Sequence, residues 1–251
     1  MNSIKIHLIV FVCIFGAVLF GMFLRAILPE QHVSGDSKDT IRLGIGMIAT
    51  MSALVLGLLV SSAKNLFDAQ CSEITQISTE VILLDHVLEE YGPEAKETRD
   101  LLRGTVARTL DLVWHQAHQQ NSEMQPTLVG NAIIHAKIRA LSPKNDIQHA
   151  AQAEALSLAM DLGKLRWLMF EQGRDSISVP LLVTMILWLG IVFTSFGLFA
   201  PRNATVIVTL FLCALSVSGA IFLIMDMYRP LEGLVQVSSA PLRSALAQLG
   251  Q

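Results

Sequence analysis

The chemistry that this sequence can carry is concentrated on one helical face. The face is made of small or weakly polar residues spaced four, three, four and four positions apart: Gly46, Thr50, Ala53, Gly57 and Ser61. Residues at these intervals share one side of an α-helix. Small side chains leave room, and Thr and Ser hydroxyls can face water, so the face is a candidate pore lining. Small residues also let membrane helices approach closely, so helix packing is the competing interpretation.

The same face continues into two opposite charges, Lys64 and Asp68. A separation of four residues suits an ion pair within one helix. Around a symmetry axis, the two side chains would instead form charged rings in a cytoplasmic vestibule and filter ions by charge. The sequence leaves both interpretations open.

Other reactive groups give weaker signals. Asp111, His115 and His118 lie on one predicted helix, with His135 as a distant contributor, but zinc sites usually need three or four ligands in fixed positions. We therefore expect no metal and no other cofactor. The sequence contains no GxSxG, P-loop, HExxH or GxGxxG motif, and nothing fixes a nucleophile beside a base. We expect no enzyme.

Four apolar segments must position these residues, and each is about long enough to cross a bilayer as a helix. They are residues 4–28, 43–60, 179–200 and 205–227. Charged residues lie at the edges of these segments, where they cost least. The sequence therefore predicts an all-α, four-span membrane protein. A cleavable signal peptide is the alternative for the first segment, but its apolar run is long and lacks a small-x-small cleavage pattern.

The chain between the second and third spans is long enough for an inserted helical domain. The predicted organisation is two spans in 1–62, a cytoplasmic helical domain in 63–176, two spans in 177–228 and a cytoplasmic tail in 229–251. From residue 64 to 175 there are eleven basic and sixteen acidic residues, a balance unsuited to nucleic acid. Basic residues near the span ends favour a cytoplasmic domain and cytoplasmic termini. Cys71, alone in this domain, mildly favours a reducing compartment.

Helix boundaries follow from the breaker and capping residues. We predict a loop over 30–39 with Thr40 capping the second span, and one helix that leaves the membrane and ends at Gly92-Pro93. Further helices are predicted over 94–120, 127–141 and 146–171. A tail helix has Ser238 or Ser239 as its cap and Pro241 in its first turn.

Two residues near span ends have predicted roles at the membrane edge. Trp167 is predicted to be an interfacial anchor, because tryptophan is enriched where lipid meets water. Asp226 is predicted to pair with Arg229, with a charged gate as the alternative.

Four stretches carry a resemblance to a known family: LDHVLEEYGPE at 84–94, FGLFAPRNATV at 196–206, ALSVSGAIFLIMDM at 214–227, and the tail at 229–249. With them the chain resembles the bacterial bestrophin-like membrane proteins, a family of unknown function. The tail departs once, at Leu231, where an aromatic residue is usual after the proline. Bestrophins are oligomeric, anion-selective channels with four spans per subunit. The resemblance implies that layout, with the second helix lining an axial pore and both termini in the cytoplasm.

Two functional hypotheses from different classes remain. The first is a homo-oligomeric ion channel of the bacterial inner membrane, whose partners are the lipid bilayer, inorganic ions and further copies of itself. The second is a non-conducting scaffold or sensor that recruits partners through its cytoplasmic domain; a signalling protein regulated by ions at this acidic domain is a third. The acidic balance argues against a purely anion-attracting vestibule and leaves ion preference open. A channel needs the small face toward a symmetry axis, whereas a scaffold would bury it against another span of the same subunit.

Overall fold

A computed structural model describes residues 3–28, 35–115, 128–172, 179–201, 203–228 and 233–250. The regular secondary structure in these ranges is helical, and they contain no strand, as the sequence predicts. The α-helices are α1 Ser3–Ile27, α2 Gly35–Tyr91, α3 Lys96–Leu110, α4 Leu128–Arg139, α5 Asp146–Gln172, α6 Val179–Phe199, α7 Ala204–Met227 and α8 Ala240–Gln248. A short 3-10 turn, Pro93–Ala95, precedes α3, and a π-helical turn, Asp111–His115, follows it.

The chain forms two compact units. The membrane unit contains residues 1–65 and 176–228, and the polar unit contains residues 66–175 and 229–251. Among the helices of the described ranges, four are long and apolar enough to cross a membrane: α1, α6, α7 and part of α2. At 57 residues, α2 is about 85 Å long, so only its apolar part fits the hydrocarbon core, which is about 30 Å thick.

In the membrane unit, α1 packs against both α6 and α7. Its buried side chains, including Ile14 and Val18, share one apolar cluster with Met185 of α6 and Ile221 of α7. The C-terminal ends of α1 and α6 meet, where Arg25 donates a hydrogen bond to the Ala200 carbonyl oxygen. These two helices therefore run parallel, as the first and third of four successive spans must.

Two glycines allow α1 and α6 to cross at backbone contact. A Cβ atom at Gly21 would overlap the carbonyl oxygen of Thr194, and one at Gly197 would overlap the carbonyl oxygen of Val18. Close crossings of this kind are a recognised use of glycine in membrane helices. The contact fixes the two helices against each other through their backbones.

The polar unit has its own apolar core, built from the C-terminal part of α2 together with α3, α4, α5 and α8. Leu84, Leu102, Ile138, Ala155 and Leu242 are among its buried residues.

The tail is an integral part of this core. Besides the burial of α8, the Trp114 indole N–H donates a hydrogen bond of 2.9 Å to the Val237 carbonyl oxygen. The C-terminal segment is therefore packed into the polar unit rather than left as an independent extension.

The end of α2 is where the sequence places it. Gly92 has φ 116°, a left-handed value that favours glycine, and Pro93 opens the next turn. The start was predicted wrongly, because α2 begins at Gly35 and residues 35–40 are helical. Asp39 lies 3.7 Å from Arg42 one turn on, and an acid near a helix N-terminus is favourable.

The remaining helices follow the predictions closely. Helices α4 and α5 begin and end within two residues of their predicted bounds. The third predicted helix runs through α3 and the π turn to His115, and residues 116–120 lie outside the described ranges. In the tail, the Ala240 amide donates to Ser238 Oγ at 3.2 Å, so Ser238, rather than Ser239, supplies the side-chain bond.

Candidate functional site

Helix α2 turns one side toward the other spans. Ser52, Leu59 and Ala63 are buried on that side, and Leu59 and Ala63 share an apolar cluster with Ile224 of α7. The Ser52 hydroxyl donates to the Ile48 carbonyl oxygen at 2.8 Å, so its polar group is satisfied within the helix. This buried side fixes how α2 is rotated within the membrane unit.

The small-residue face, Gly46, Thr50, Ala53, Gly57 and Ser61, lies on the outer side of α2. All five residues are exposed, and a Cβ atom added at Gly46 or Gly57 would meet nothing within 4 Å. The Thr50 hydroxyl donates to the Met47 carbonyl oxygen at 2.8 Å. Within the part of the chain that the structure describes, no other span covers this face.

The two charged vestibule candidates extend the same outer side. Lys64 and Asp68 are both exposed. Beyond them the side continues with hydroxyl residues at helical spacing, Ser72, Thr75 and Thr79, all exposed. Sequence reasoning missed this continuation, although the three- and four-residue intervals that mark the membrane part persist through residue 79.

A large apolar flank lies beside the small-residue face. It is formed by Met47, Met51, Leu54 and Leu58, each at least 48% exposed. The outer surface of α2 in the membrane unit is thus divided lengthwise. One half is small and hydroxyl-bearing, and the other half is large and apolar.

A buried ion pair ties the C-terminus to α2 in the polar unit. Arg99 donates two hydrogen bonds of 2.8 Å to the Asp85 carboxylate, and the Gly250 amide donates a third at 3.2 Å. Burial alone raises the pKa of Asp85, but the bonds from Arg99 and Gly250 outweigh it and hold the pKa below its usual value. The neighbouring His86 is exposed, and its Nδ1 lies 3.5 Å from the Glu89 carboxylate.

Replacing Asp85 with Asn is expected to lower the free energy of unfolding of the polar unit by about 3 kcal/mol, because the mostly buried Arg99 loses its closest anion and keeps only Glu89, at 3.8 Å. The folded pKa of Asp85 lies below the unfolded value, so its stabilisation is complete above about pH 4 and is lost as the pH falls through the folded pKa. Hydrogen exchange of the α8 amides in purified protein measures this, and the variant should show a weaker acid dependence. Glu97→Gln, which breaks an exposed pair with Lys137, is the matched control and should change little.

The other candidate groups do not assemble into a site within the described residues. No three His, Cys, Asp or Glu side chains there come close enough to hold a metal ion, and His118 lies outside those ranges. Asp226 is buried at the end of α7, while its predicted partner Arg229 also lies outside them. The outer side of α2 therefore remains the main candidate surface.

Within the described residues, four helices have the length and apolar composition of membrane spans, and one of them extends into a helical polar unit. These features are those of a multi-span α-helical membrane protein. The bestrophin-like domain profile matches residues 12–242. The chain belongs to the bestrophin-like family, which confirms the resemblance seen in the sequence. Searches of curated proteins and of solved structures gave no significant match.

Proposed function

We propose that this protein is a homo-oligomeric ion channel of bestrophin-like layout, with α2 of each copy lining a central axis. Its location is the bacterial inner membrane, with the polar unit and both termini in the cytoplasm. One observation carries the proposal: the small-residue face of α2 is exposed on the outside of the protomer.

The physical argument concerns what covers this face in a membrane. Small residues in membrane helices typically mark places where something other than lipid tails approaches the backbone. Within the described part of the protomer no span does so, which leaves another copy or a water-filled axis. From Gly46 to Ser61 the face is about 22 Å long, most of the thickness of the hydrocarbon core. It is long enough to border a path across the membrane.

The continuation of the outer side favours a water-filled axis over simple association. Beyond the small-residue face come Lys64, Asp68 and the hydroxyls of Ser72 and Thr75, all exposed. A side that carries charges and hydroxyls over several turns is suited to a hydrated path. Repeated around an axis, Lys64 and Asp68 would set the charge that permeating ions meet.

The direct test is ion flux into liposomes that contain the purified, assembled protein. The channel predicts flux of at least one common ion, such as Cl⁻, K⁺ or Na⁺, above protein-free liposomes. If assembled protein passes none of these ions, the channel is ruled out and a non-conducting scaffold takes its place.

Lys64→Glu is expected to raise the permeability of K⁺ relative to Cl⁻ several-fold, because each copy replaces a cation beside the path with an anion. The reversal potential in a salt gradient measures the change. Lys96→Glu, an equally charge-reversing substitution at an exposed site on α3, is the control and should leave the reversal potential unchanged. Equal shifts for both variants would show that Lys64 acts only through overall charge.

A further inference from the structure

The C-terminal end of α5 carries exposed apolar side chains that neither the core of the polar unit nor the proposed ion path uses. Trp167 and Leu168 are 50% and 49% exposed. Met160 and Lys164 precede them at intervals that place all four along one side of the helix. The Lys164 amine lies 2.8 Å from Asp161 and is itself largely exposed.

The opposite side of α5 makes the core contacts. Its buried residues there, Ala151, Ala155, Ala159 and Leu162, are mostly small. The largest apolar side chains thus point outward near the end of the helix, which is the reverse of the pattern expected for a helix exposed only to water. Such a surface requires something apolar to cover it.

The covalent path of the chain indicates what that cover is. Helix α5 ends at Gln172 and α6 begins at Val179, and seven peptide steps span about 25 Å at most. At 21 residues, α6 is about 31 Å long, which matches the hydrocarbon core and places Val179 at its boundary. The covalent link therefore keeps the end of α5 within about 25 Å of the start of α6.

We infer that Trp167 and Leu168 bind the headgroup layer of the same bilayer that α6 crosses. Tryptophan favours this layer because its ring is apolar and its N–H is polar. The long stem of Lys164 can lie along the apolar surface while its amine reaches lipid phosphates. This contact extends the lipid-facing surface of the protein from α6 back onto α5, and it does not depend on whether the protein conducts ions.

Spin-label accessibility in proteoliposomes of phosphatidylethanolamine and phosphatidylglycerol tests the inference. A nitroxide is attached at Leu168→Cys in a full-length background in which Cys13, Cys71 and Cys213 are replaced by alanine. Collisions with oxygen, which dissolves in lipid, are compared with collisions with a water-soluble nickel chelate. The matched control is Ile147→Cys, which is 63% exposed and lies about 30 Å earlier on the same helix.

Lipid contact predicts an oxygen-to-nickel collision ratio several-fold higher at residue 168 than at residue 147. Equal ratios would place Leu168 in water and overturn the inference. Exclusion of both reagents at residue 168 would show coverage by protein, such as a second copy, and would overturn it as well. If the label at residue 168 disturbs folding, the fluorescence of Trp167 is measured instead, in a full-length protein that carries Trp114→Phe and Trp188→Phe. Lipids brominated near the headgroup should then quench most of the Trp167 emission. Absence of quenching would overturn the inference.

Discussion

Gly57→Trp is expected to reduce ion flux by about tenfold or more while leaving the protomer folded. An indole in place of a hydrogen atom would fill the space beside every copy of α2 along the axis. The protomer has room for it, because a Cβ atom at Gly57 meets nothing within 4 Å. Flux into liposomes at matched protein content measures the effect, and helical content and elution volume report folding and assembly.

The neighbouring residue provides a close control for this substitution. Leu58 is 70% exposed and lies about 100° around the helix from Gly57, on the large apolar flank. Leu58→Trp adds an indole at nearly the same depth but away from the small-residue face, so flux should be largely retained. If Leu58→Trp blocks flux and Gly57→Trp does not, the helix is rotated differently around the axis and the proposed lining is wrong.

Gly197→Ala is expected to destabilise the membrane unit by about 3 kcal/mol, at the upper end for overpacking. The added methyl group would collide with the backbone carbonyl of Val18, which cannot move aside as a flexible side chain can. Gly21→Ala should have a similar effect through the carbonyl of Thr194. The fraction of monodisperse protein that survives a heating series in detergent measures the loss.

Two further glycines on the same helices serve as controls. A Cβ atom at Gly16 of α1 or Gly190 of α6 would meet nothing within 4 Å. Gly16→Ala and Gly190→Ala should therefore behave like the unaltered protein, or slightly better, because alanine is the better helix former. If all four variants unfold at the same temperature, the backbone contact between α1 and α6 does not contribute to stability.

Much of the fold was predictable because hydrophobic length and helix breakers are local signals. The four spans follow from apolar runs of bilayer length, and the end of α2 follows from Gly92-Pro93. The early start of α2 was missed because a polar stretch with Gly and Ser is typical of a loop. There, acids such as Asp39 near the N-terminus favour the helix instead.

The candidate site was predictable only in part. Periodicity places Gly46 to Ser61 on one face, but it does not say whether that face is buried, since this depends on how α2 is rotated against α7. The bond between Asp85 and the Gly250 amide joins positions 165 residues apart, and no local pattern links them. Likewise, only the fold shows that Gly21 lies against Thr194 and that Gly197 lies against Val18.

The close crossing of α1 with α6, at Gly21 and Gly197, can form only late in biogenesis. About 175 residues separate them, so a ribosome adding about 5–20 residues per second completes the partner of α1 about 10–35 s after α1 itself. During that interval the surface of α1 around Gly21 lacks its packing partner, α6. Helix α1 therefore remains without its α6 contact during that interval, and it reaches its final packing only after α6 has been made.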